Sequence, residues 1–442
     1  MTKNRARCGA KARFCVTSGP EAAVILSLSS MAHLDTEIAI VGAGPAGASL
    51  ALALAGAGFD ITLIDARDPA AKARPDTRNF AVVTGSWRLL TAIGIAEHIA
   101  GETQPLHGLE AVDGGTHWFG APSVLFGDED LIHREEGETL GHMIEAIVLQ
   151  AALDKAVEAE ERIKKLAPAR FSGAKAEPGH ITVHLEDGSA ITARLLVGAD
   201  GMNSPVRNAA GITVEGRDYG KSVFAANVIL SQPHEGVARQ LFTPEGPFAT
   251  LPLRGDRANL AWYMKRGAPE ALAKLSPEEV EAELNHRFAE FAGEMKIDGP
   301  MGSYPLILQI AEHMVADRVA LVGDAARRIN PLAGQGLNQG FRDVAALHEV
   351  LVNSDRAGLD IGAAQSLSLY ETARRFDANT ASLALDAIDR LFSNDMMMTK
   401  PVRTLGLLAA SALSPMRHRL AALASASSPD LPPLMQYRFS GS

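Results

Sequence analysis

The segment from Arg318 to Asp343 concentrates residue types that can bind a planar, polar ligand. An apolar run ends in Gly323 and Asp324, and Pro331 and several glycines follow before a helix is predicted to begin near Gly336. The carboxylate comes just after a strand, at the carboxyl end where α/β sheets bind ligands. Glycines let the backbone approach a ring system, and the helix directs its positive N-terminal end towards the same place. A helix cap would explain the Gly-Asp pair alone, but the whole pattern predicts contact with a large cofactor.

A second segment, Gly42-Ala-Gly44-Pro-Ala-Gly47, predicts a nucleotide-binding turn between a strand and a helix. Its glycines permit close approach of a pyrophosphate, and the helix N-terminus supplies free N–H groups. Asp65 ends the next strand, about 20 residues on, where a carboxylate can accept hydrogen bonds from ribose hydroxyls. The glycine spacing alone is a weak signal, but strand, helix and acidic residue together predict dinucleotide binding. They do not separate NAD from FAD.

Two further positions are candidates for the same ligand. An apolar strand ends in Asp200-Gly201, and a helix is predicted to begin at Ser204-Pro205. Taken alone, this is also a common turn and a common helix start. Arg78 lies in a loop between a strand and a helix; such an arginine is usually solvated, but here it could reach a phosphate or a ring edge.

The composition excludes several classes of protein. A net charge of -10 argues against nucleic-acid binding, which needs clustered Lys and Arg. The two cysteines, Cys8 and Cys15, precede Val16, so the body of the chain has no disulfide, thiolate nucleophile or Cys-ligated metal. The histidines lack metal-ligand spacing and Gly-x-Ser-x-Gly is absent, so the sequence predicts neither a metal site nor a serine triad.

The two ends of the chain leave alternatives open. Residues 1–34 combine basic residues with a short apolar run, 22–31, in the outline of a targeting segment. The shortness of the run favours an unstructured extension before a start at Met31. Residues 402–413 form an apolar tail followed by basic residues. The tail could contact a membrane that delivers a lipid-tailed substrate, although packing on its own core is the favoured interpretation.

The elements that must position these residues follow an α/β pattern interrupted by an antiparallel sheet. A strand at 37–41, a helix at 46–57 and a strand at 60–65 form a βαβ unit. Further predicted elements are helices at 86–98, 145–162, 276–291, 336–353 and 363–424, a hairpin of 180–186 with 190–197, and an antiparallel sheet from 224–230, 239–242, 248–253 and 257–264.

The predicted nucleotide-binding domain is therefore discontinuous and Rossmann-like. It comprises 35–105, 135–205 and 300–350, whereas 106–134 and 206–299 form the substrate domain. Residues 351–442 are predicted to form a C-terminal helical region, and 1–34 a leader or extension.

The three motifs in this order resemble the group A FAD-dependent aromatic monooxygenases. Within them, the blocks Gly323-Asp-Ala-Ala, Pro331 to Asn338 and Gly340-Phe-Arg-Asp343 resemble the ubiquinone-biosynthesis hydroxylase family. The resemblance extends from Glu37 to Leu408 and includes the tail residues Tyr370, Arg374, Asp377 and 391–394. The chain departs from the family at Arg327 and Asn330, where the family commonly has His.

The resemblance implies an FAD site and assigns residues to it. The implied cofactor-binding residues are Gly42, Ala43, Gly44, Pro45, Ala46, Gly47, Asp65, Ala66, Arg78, Asp200, Gly201, Gly323, Asp324, Pro331, Gly334, Gly336, Leu337 and Asn338. The fingerprint and Asp65 would hold the ADP half, Asp200 and Gly201 would lie near the pyrophosphate, and Asp324 would bind the ribityl portion. Pro331, Gly334, Gln335 and Gly336 would form the flavin-ring loop at the catalytic centre, with no side-chain base assigned.

The function implied by the resemblance is hydroxylation of an aromatic ring with NAD(P)H and O₂ through a flavin C4a-hydroperoxide. The expected substrate is a prenylated phenol, a lipid-tailed ubiquinone precursor. The expected location is cytoplasmic, at the inner face of a membrane, with other ubiquinone-biosynthesis proteins as partners. Two alternatives stay open: other flavin chemistry, such as epoxidation or prenyl reduction, and a non-catalytic flavin-bound subunit of a biosynthetic complex.

Overall fold

The computed structural model describes residues 35–70, 78–114, 123–131, 134–328, 335–375, 418 and 431–436. The strands are β1 (Ile38–Val41), β2 (Ile61–Ile64), β3 (Asn79–Val83), β4 (Gln104–Leu106), β5 (Gly108–Asp113), β6 (Ser123–Gly127), β7 (Gly141–Glu145), β8 (Ile163–Leu166), β9 (Phe171–Glu177), β10 (His180–Leu185), β11 (Ala190–Ala193), β12 (Leu195–Gly198), β13 (Val214–Leu230), β14 (Val237–Thr243), β15 (Gly246–Pro252), β16 (Arg257–Lys265), β17 (Met295–Ile297), β18 (Gly302–Ala311), β19 (Val315–Ala316), β20 (Val319–Leu321) and β21 (Arg327–Arg328). The helices are α1 (Pro45–Gly56), α2 (Thr84–Ala92), α3 (Ala96–Ile99), α4 (Ala146–Ala159), α5 (Pro205–Ala209), α6 (Ala268–Leu272), α7 (Pro277–Ala292) and α8 (Gln335–Arg356), and residues 364–375 are also helical.

A parallel sheet carries the cofactor-side motifs, in the order β20-β12-β1-β2-β8, with β19 added antiparallel at its edge. Every residue of β1, β2 and β12 is buried. Such strands read as continuous apolar runs because both faces of a parallel sheet are covered. Strands β1 and β2 pair in parallel and α1 connects them, which confirms the predicted βαβ unit. Helix α1 packs against α4 and against α8, the helix that follows the Gly323 segment.

The hairpin predicted from 180–186 and 190–197 is only half correct. Its first half exists, because β10 pairs antiparallel with β11. The chain then leaves this small sheet, and β12 pairs in parallel with β1 and β20. The burial pattern explains the break: β11 alternates between buried and exposed residues, whereas β12 is buried throughout.

The second large sheet has the order β21-β18-β13-β16-β15-β14-β5-β6, and β17 also pairs with β13. The antiparallel sheet predicted around 224–264 is therefore present, but β14 pairs in parallel with β5. Strand β18 also belongs here, which corrects its assignment to the cofactor-binding domain within 300–350. The other domain boundaries stay predictions. Helix α7 covers one face of this sheet and begins at a capping box formed by Ser276 and Glu279.

The helix predicted at 86–98 is two helices, α2 and α3, because Gly94 takes a left-handed conformation with φ +75° and ends the first. A small sheet, β3-β7-β4, packs against the second large sheet through a shared apolar cluster. Most of the helical tail predicted at 363–424 lies outside the described residues. None of the described helices is both long and apolar enough to cross a membrane.

Candidate active site

The turn between β1 and α1 contains two glycines that packing requires and one that leaves open space. Gly42 has φ +103°, and a Cβ there would lie 2.3 Å from the carbonyl oxygen of Ala199. A Cβ at Gly47 would lie 1.9 Å from the Gly42 carbonyl oxygen. By contrast, no described residue lies within 4 Å of a Cβ at Gly44, the N-cap of α1, and no described side chain caps this helix. The first turn can therefore receive an anionic group.

Asp65 at the end of β2 fixes the fingerprint turn. Its Oδ2 accepts a hydrogen bond from the Ala43 N–H at 2.6 Å, and its Oδ1 accepts two from Arg67, at 2.7 Å from the backbone N and 3.0 Å from Nε. The guanidinium of Arg67 also donates to the Ala43 carbonyl oxygen at 2.9 Å. Three of the roughly four lone-pair positions of the carboxylate are thus used, which leaves one for a ribose hydroxyl. Ala66, between the two residues, is exposed.

The Asp200-Gly201 turn follows β12. Gly201 has φ +81°, and among the residues that the structure describes none lies within 4 Å of a Cβ there, so this position also leaves space for a ligand. Asp200 Oδ2 accepts the Val206 N–H at 3.0 Å at the start of α5, and burial raises the pKa of the carboxyl. Buried Arg207 donates to the carbonyl oxygens of Met202 and Ala325, each at 3.0 Å. This arginine therefore joins the turn to the one after β20.

The Gly323 turn after β20 is held by a buried ion cluster. Gly323 has φ +62°, and its N–H donates to Asp343 Oδ2 at 3.0 Å. The other oxygen of Asp343 lies 2.7 Å from Arg374 Nε and 3.1 Å from Arg327 Nη2. Asp343 is 0% exposed. A carboxylate on α8 thus fixes both the turn and two arginines.

Asp324 and Arg78 lie in one electrostatic neighbourhood although they come from distant parts of the chain. Asp324 is exposed on one side, and partial burial of its carboxyl raises the pKa of this group. The positive charges that oppose this shift belong to Arg328 and Arg78. The structure therefore brings two of the predicted cofactor residues close enough to interact.

The flavin-ring loop is described only from its C-terminal end. Pro331 and Gly334 lie outside the described residues. Gln335 begins α8, and no atom of the described part of the chain lies within 4 Å of a Cβ at Gly336. Leu337 is half-buried. Asn338 is buried and bonds to β3 with both ends of its carboxamide: Oδ1 accepts the Val83 N–H at 3.1 Å, and Nδ2 donates to the Ala81 carbonyl oxygen at 2.7 Å. The start of α8 is thus joined to β3.

The three segments converge on one region. A Cβ at Gly323 would lie 3.2 Å from the Cβ of Ala46 and 4.0 Å from the Cα of Gly340. Gly42 meets Ala199, next to Asp200. The first turns of α1 and the turns after β12 and β20 therefore share one edge of the parallel sheet, and Gly44, Gly201 and Gly336 leave space there. These features fit a dinucleotide with a pyrophosphate and a flat ring.

The comparisons with known proteins agree with this geometry. A model of the FAD binding domain matches residues 35–378. The chain is 39% identical to the ubiquinone hydroxylase UbiL of Rhodospirillum rubrum, over 88% of this chain and 90% of that protein. It is 35% identical to the 3-demethoxyubiquinol 3-hydroxylase of Escherichia coli, over 86% of this chain and 96% of that protein. The chain belongs to the ubiquinone-biosynthesis hydroxylase family of FAD-dependent monooxygenases.

Membership of this hydroxylase family establishes the enzyme class: an FAD-dependent aromatic hydroxylase of ubiquinone biosynthesis, with NAD(P)H as the family's usual electron donor. Among solved structures, p-nitrophenol 4-monooxygenase PnpA from Pseudomonas putida superposes with a TM-score of 0.70 at 18% identity, covering 87% of this chain and 96% of that chain. That likeness supports the α/β fold. The assignment of individual residues to FAD stays a prediction.

The structure also reveals contacts of polar residues that the sequence did not single out, both beside the predicted site and on the second large sheet. Arg67 could have been noticed from the Asp-x-Arg spacing after β2, and Arg207 from its place in the helix after Asp200. Asn227 and Asn259 carry no local signal. They lie opposite each other on β13 and β16, and only the register of the sheet brings them together.

Proposed function

We propose that this family member hydroxylates the ring of a prenylated phenol, a lipid-tailed precursor of ubiquinone, with NAD(P)H and O₂. The observation that best supports this proposal is the position of β3 between the two layers. Asn338 joins β3 to α8, the helix that follows the predicted flavin-ring loop. Ala81 of β3 packs in one apolar cluster with Ala238 and Leu253, which lie in or next to the second large sheet. A flat ring bound along this strand would lie between the cofactor loops and the sheet.

The open positions at Gly44, Gly201 and Gly336 are proposed to hold FAD, with the pyrophosphate at the start of α1. Bound FAD supplies hydride acceptance and activation of O₂. The N-terminal end of α8 stabilises negative charge at the edge of the ring system. The apolar residues of the sheet face keep water away from the reacting atoms, which favours oxygen transfer over release of peroxide.

The proposal is tested with purified protein, FAD, NADH and a short-chain prenylated phenol. The expected result is one hydroxylated product for each NADH oxidised. Oxidation of NADH with release of only H₂O₂ would refute the hydroxylase function on this substrate class. Binding of FAD without any oxidation of NADH would instead support the non-catalytic subunit.

We also propose contact with a membrane and with other ubiquinone-biosynthesis proteins, because a lipid-tailed substrate must be delivered from its surroundings. The support is the apolar sequence at 402–413 alone. The expectation is that the chain pellets with anionic lipid vesicles and that a variant ending at Arg403 does not. Equal pelleting of the two would contradict the membrane proposal.

A further inference from the structure

We propose that the carboxamides of Asn227 and Asn259 recognise the oxygens of the substrate ring, one as a hydrogen-bond donor and the other as an acceptor. The two residues are directly opposite each other on β13 and β16. This inference rests on the proposed function, because it assigns residues to the ring of that substrate. It makes the two asparagines specificity-determining residues.

The hydrogen bonds within the cluster fix the orientation of both side chains. Asn227 Oδ1 accepts one bond from Asn259 Nδ2 at 3.0 Å and another from Asn79 Nδ2 at 2.9 Å. Asn259 Nδ2 also lies 3.4 Å from the carbonyl oxygen of Ala226. The acceptor of Asn227 and the donor of Asn259 are therefore used internally. The groups that remain are the Nδ2 donor of Asn227 and the Oδ1 acceptor of Asn259, and neither has a partner among the described residues.

These two polar groups lie beside apolar residues. On the same face, Ala225 lies opposite Ala261 in the next register pair, and Leu251 lies beside Asn259 on β15. Both asparagines are half-buried, so a ligand can reach them. The opposite face of the same strands is apolar and covered by α7. A polar group beside apolar residues costs free energy unless it is hydrogen-bonded, so a donor and an acceptor placed side by side suit a ring that carries a hydroxyl and an ether or carbonyl oxygen.

The amide cluster lies at the start of β3, close to the residue of that strand that bonds to α8. Asn79 is two residues from Ala81, whose carbonyl oxygen accepts the hydrogen bond from Asn338 of α8. Two residues of a strand span about 7 Å, so Asn79, which donates to Asn227, is about the width of one aromatic ring along β3 from the residue that bonds to α8. Next to them on β16, Arg257 pairs with Glu145 of β7 at 3.1 Å and with Asp298 at 2.7 Å, so the two sheets are in direct contact on the far side of the amide pair. The proposed ring therefore lies on the side of the asparagines that faces α8.

The test uses holoenzyme variants and two ligands, a short-chain prenylated phenol and its methyl ether, with dissociation constants measured from the perturbation of flavin absorbance. Asn259→Leu removes the acceptor, so the phenol should bind about tenfold more weakly while the ether is unaffected. Asn227→Asp keeps the internal acceptor but replaces the outward donor with an oxygen. The ether, which cannot donate, should then lose about tenfold more affinity than the phenol. The phenol-to-ether preference should shift in opposite directions in the two variants.

Thr250→Val is the matched control, because Thr250 is buried on the opposite face of the same sheet. It should leave both dissociation constants within twofold of wild type. A purely structural role for the asparagines would shift both ligands together, and that result, or an unchanged preference in both variants, would overturn the assignment. If Asn259→Leu loses FAD, the Asn227→Asp result alone decides. A wild-type enzyme that neither binds nor hydroxylates the phenol would instead refute the proposed function.

Discussion

The replacement Asp343→Asn is expected to destabilise the protein strongly, because Asp343 contacts two arginines that are themselves buried. Its oxygens accept bonds from Arg374, Arg327 and the Gly323 N–H at 2.7, 3.1 and 3.0 Å, and the side chain is 0% exposed. Asparagine offers one acceptor oxygen and places an NH₂ group against one of these donors. Removing one partner of a buried ion pair costs about 3–5 kcal/mol, because the remaining charge is left uncompensated.

The matched control is Asp360→Asn. Asp360 pairs with buried Arg318, but the Asp360 side chain is 38% exposed and Arg318 also donates to the carbonyl oxygens of Glu177 and Arg194, so the expected loss is at most about 1 kcal/mol. The assay is urea unfolding followed by tryptophan fluorescence and by flavin release, whose transitions must coincide for a free energy to be defined. FAD affinity should fall together with stability in Asp343→Asn, because the Gly323 turn loses its acceptor. A difference of less than about 1 kcal/mol between the two variants would show that the cluster does not hold this turn.

Three further predictions concern the turns and the small sheet. Gly44→Ala should leave the stability of the apoprotein unchanged but weaken FAD binding at least about tenfold. Gly47→Ala should reduce both the stability and the FAD affinity, because its Cβ would lie 1.9 Å from a backbone oxygen. FAD fluorescence titration and apoprotein melting measure the two quantities, and equal behaviour of the two variants would contradict this prediction. Burial raises the pKa of Asp200, so its ionisation lowers the stability of the protein as the pH rises above the pKa of the unfolded chain, about 3.9. Asp200→Asn should therefore stabilise the apoprotein at pH 7, and melting experiments should show this gain shrinking as the pH falls towards 4. Burial lowers the pKa of His142 from 6.5 to about 4, so the unfolded chain binds the proton first and the protein loses stability as the pH falls from 6.5 to 4. The ring of His142 stacks on Trp87 at 3.8 Å, and His142→Phe, which supplies another flat ring, should reduce that loss. An unchanged melting profile between these pH values would refute the role of His142.

Local patterns predicted much of the cofactor side. The strand-glycine-helix unit at Gly42 and the turns at Asp200 and Gly323 depend on residues that are neighbours in sequence, so spacing and residue type were sufficient. The hairpin prediction failed at Arg194, because continuous apolar residues do not reveal whether the partner strand is parallel. Likewise, the break at Gly94 was missed because apolar periodicity continues across it.

The remaining features required the three-dimensional arrangement. Asp65 was predicted to face a ribose, but most of its hydrogen-bonding capacity stabilises the turn at Ala43. The cluster around Asp343 joins residues from different elements, and no local pattern links Arg327 to Asp343. The amide pair depends on the register between β13 and β16, which a single sequence does not encode locally.

The bond between Asn338 and β3 has a consequence for the time at which the enzyme can acquire its cofactor. The carboxamide satisfies the N–H of Val83 and the C=O of Ala81 as a neighbouring strand would, yet it comes from a residue 255 positions later. Strand β20, at 319–321, is needed just as late to complete the parallel sheet. A ribosome adding about 5–20 residues per second therefore exposes the first half of the dinucleotide site well before the second half exists. FAD capture is expected to be a late step of synthesis, and an unpaired edge at β3 is the state that the nascent chain must survive until α8 emerges.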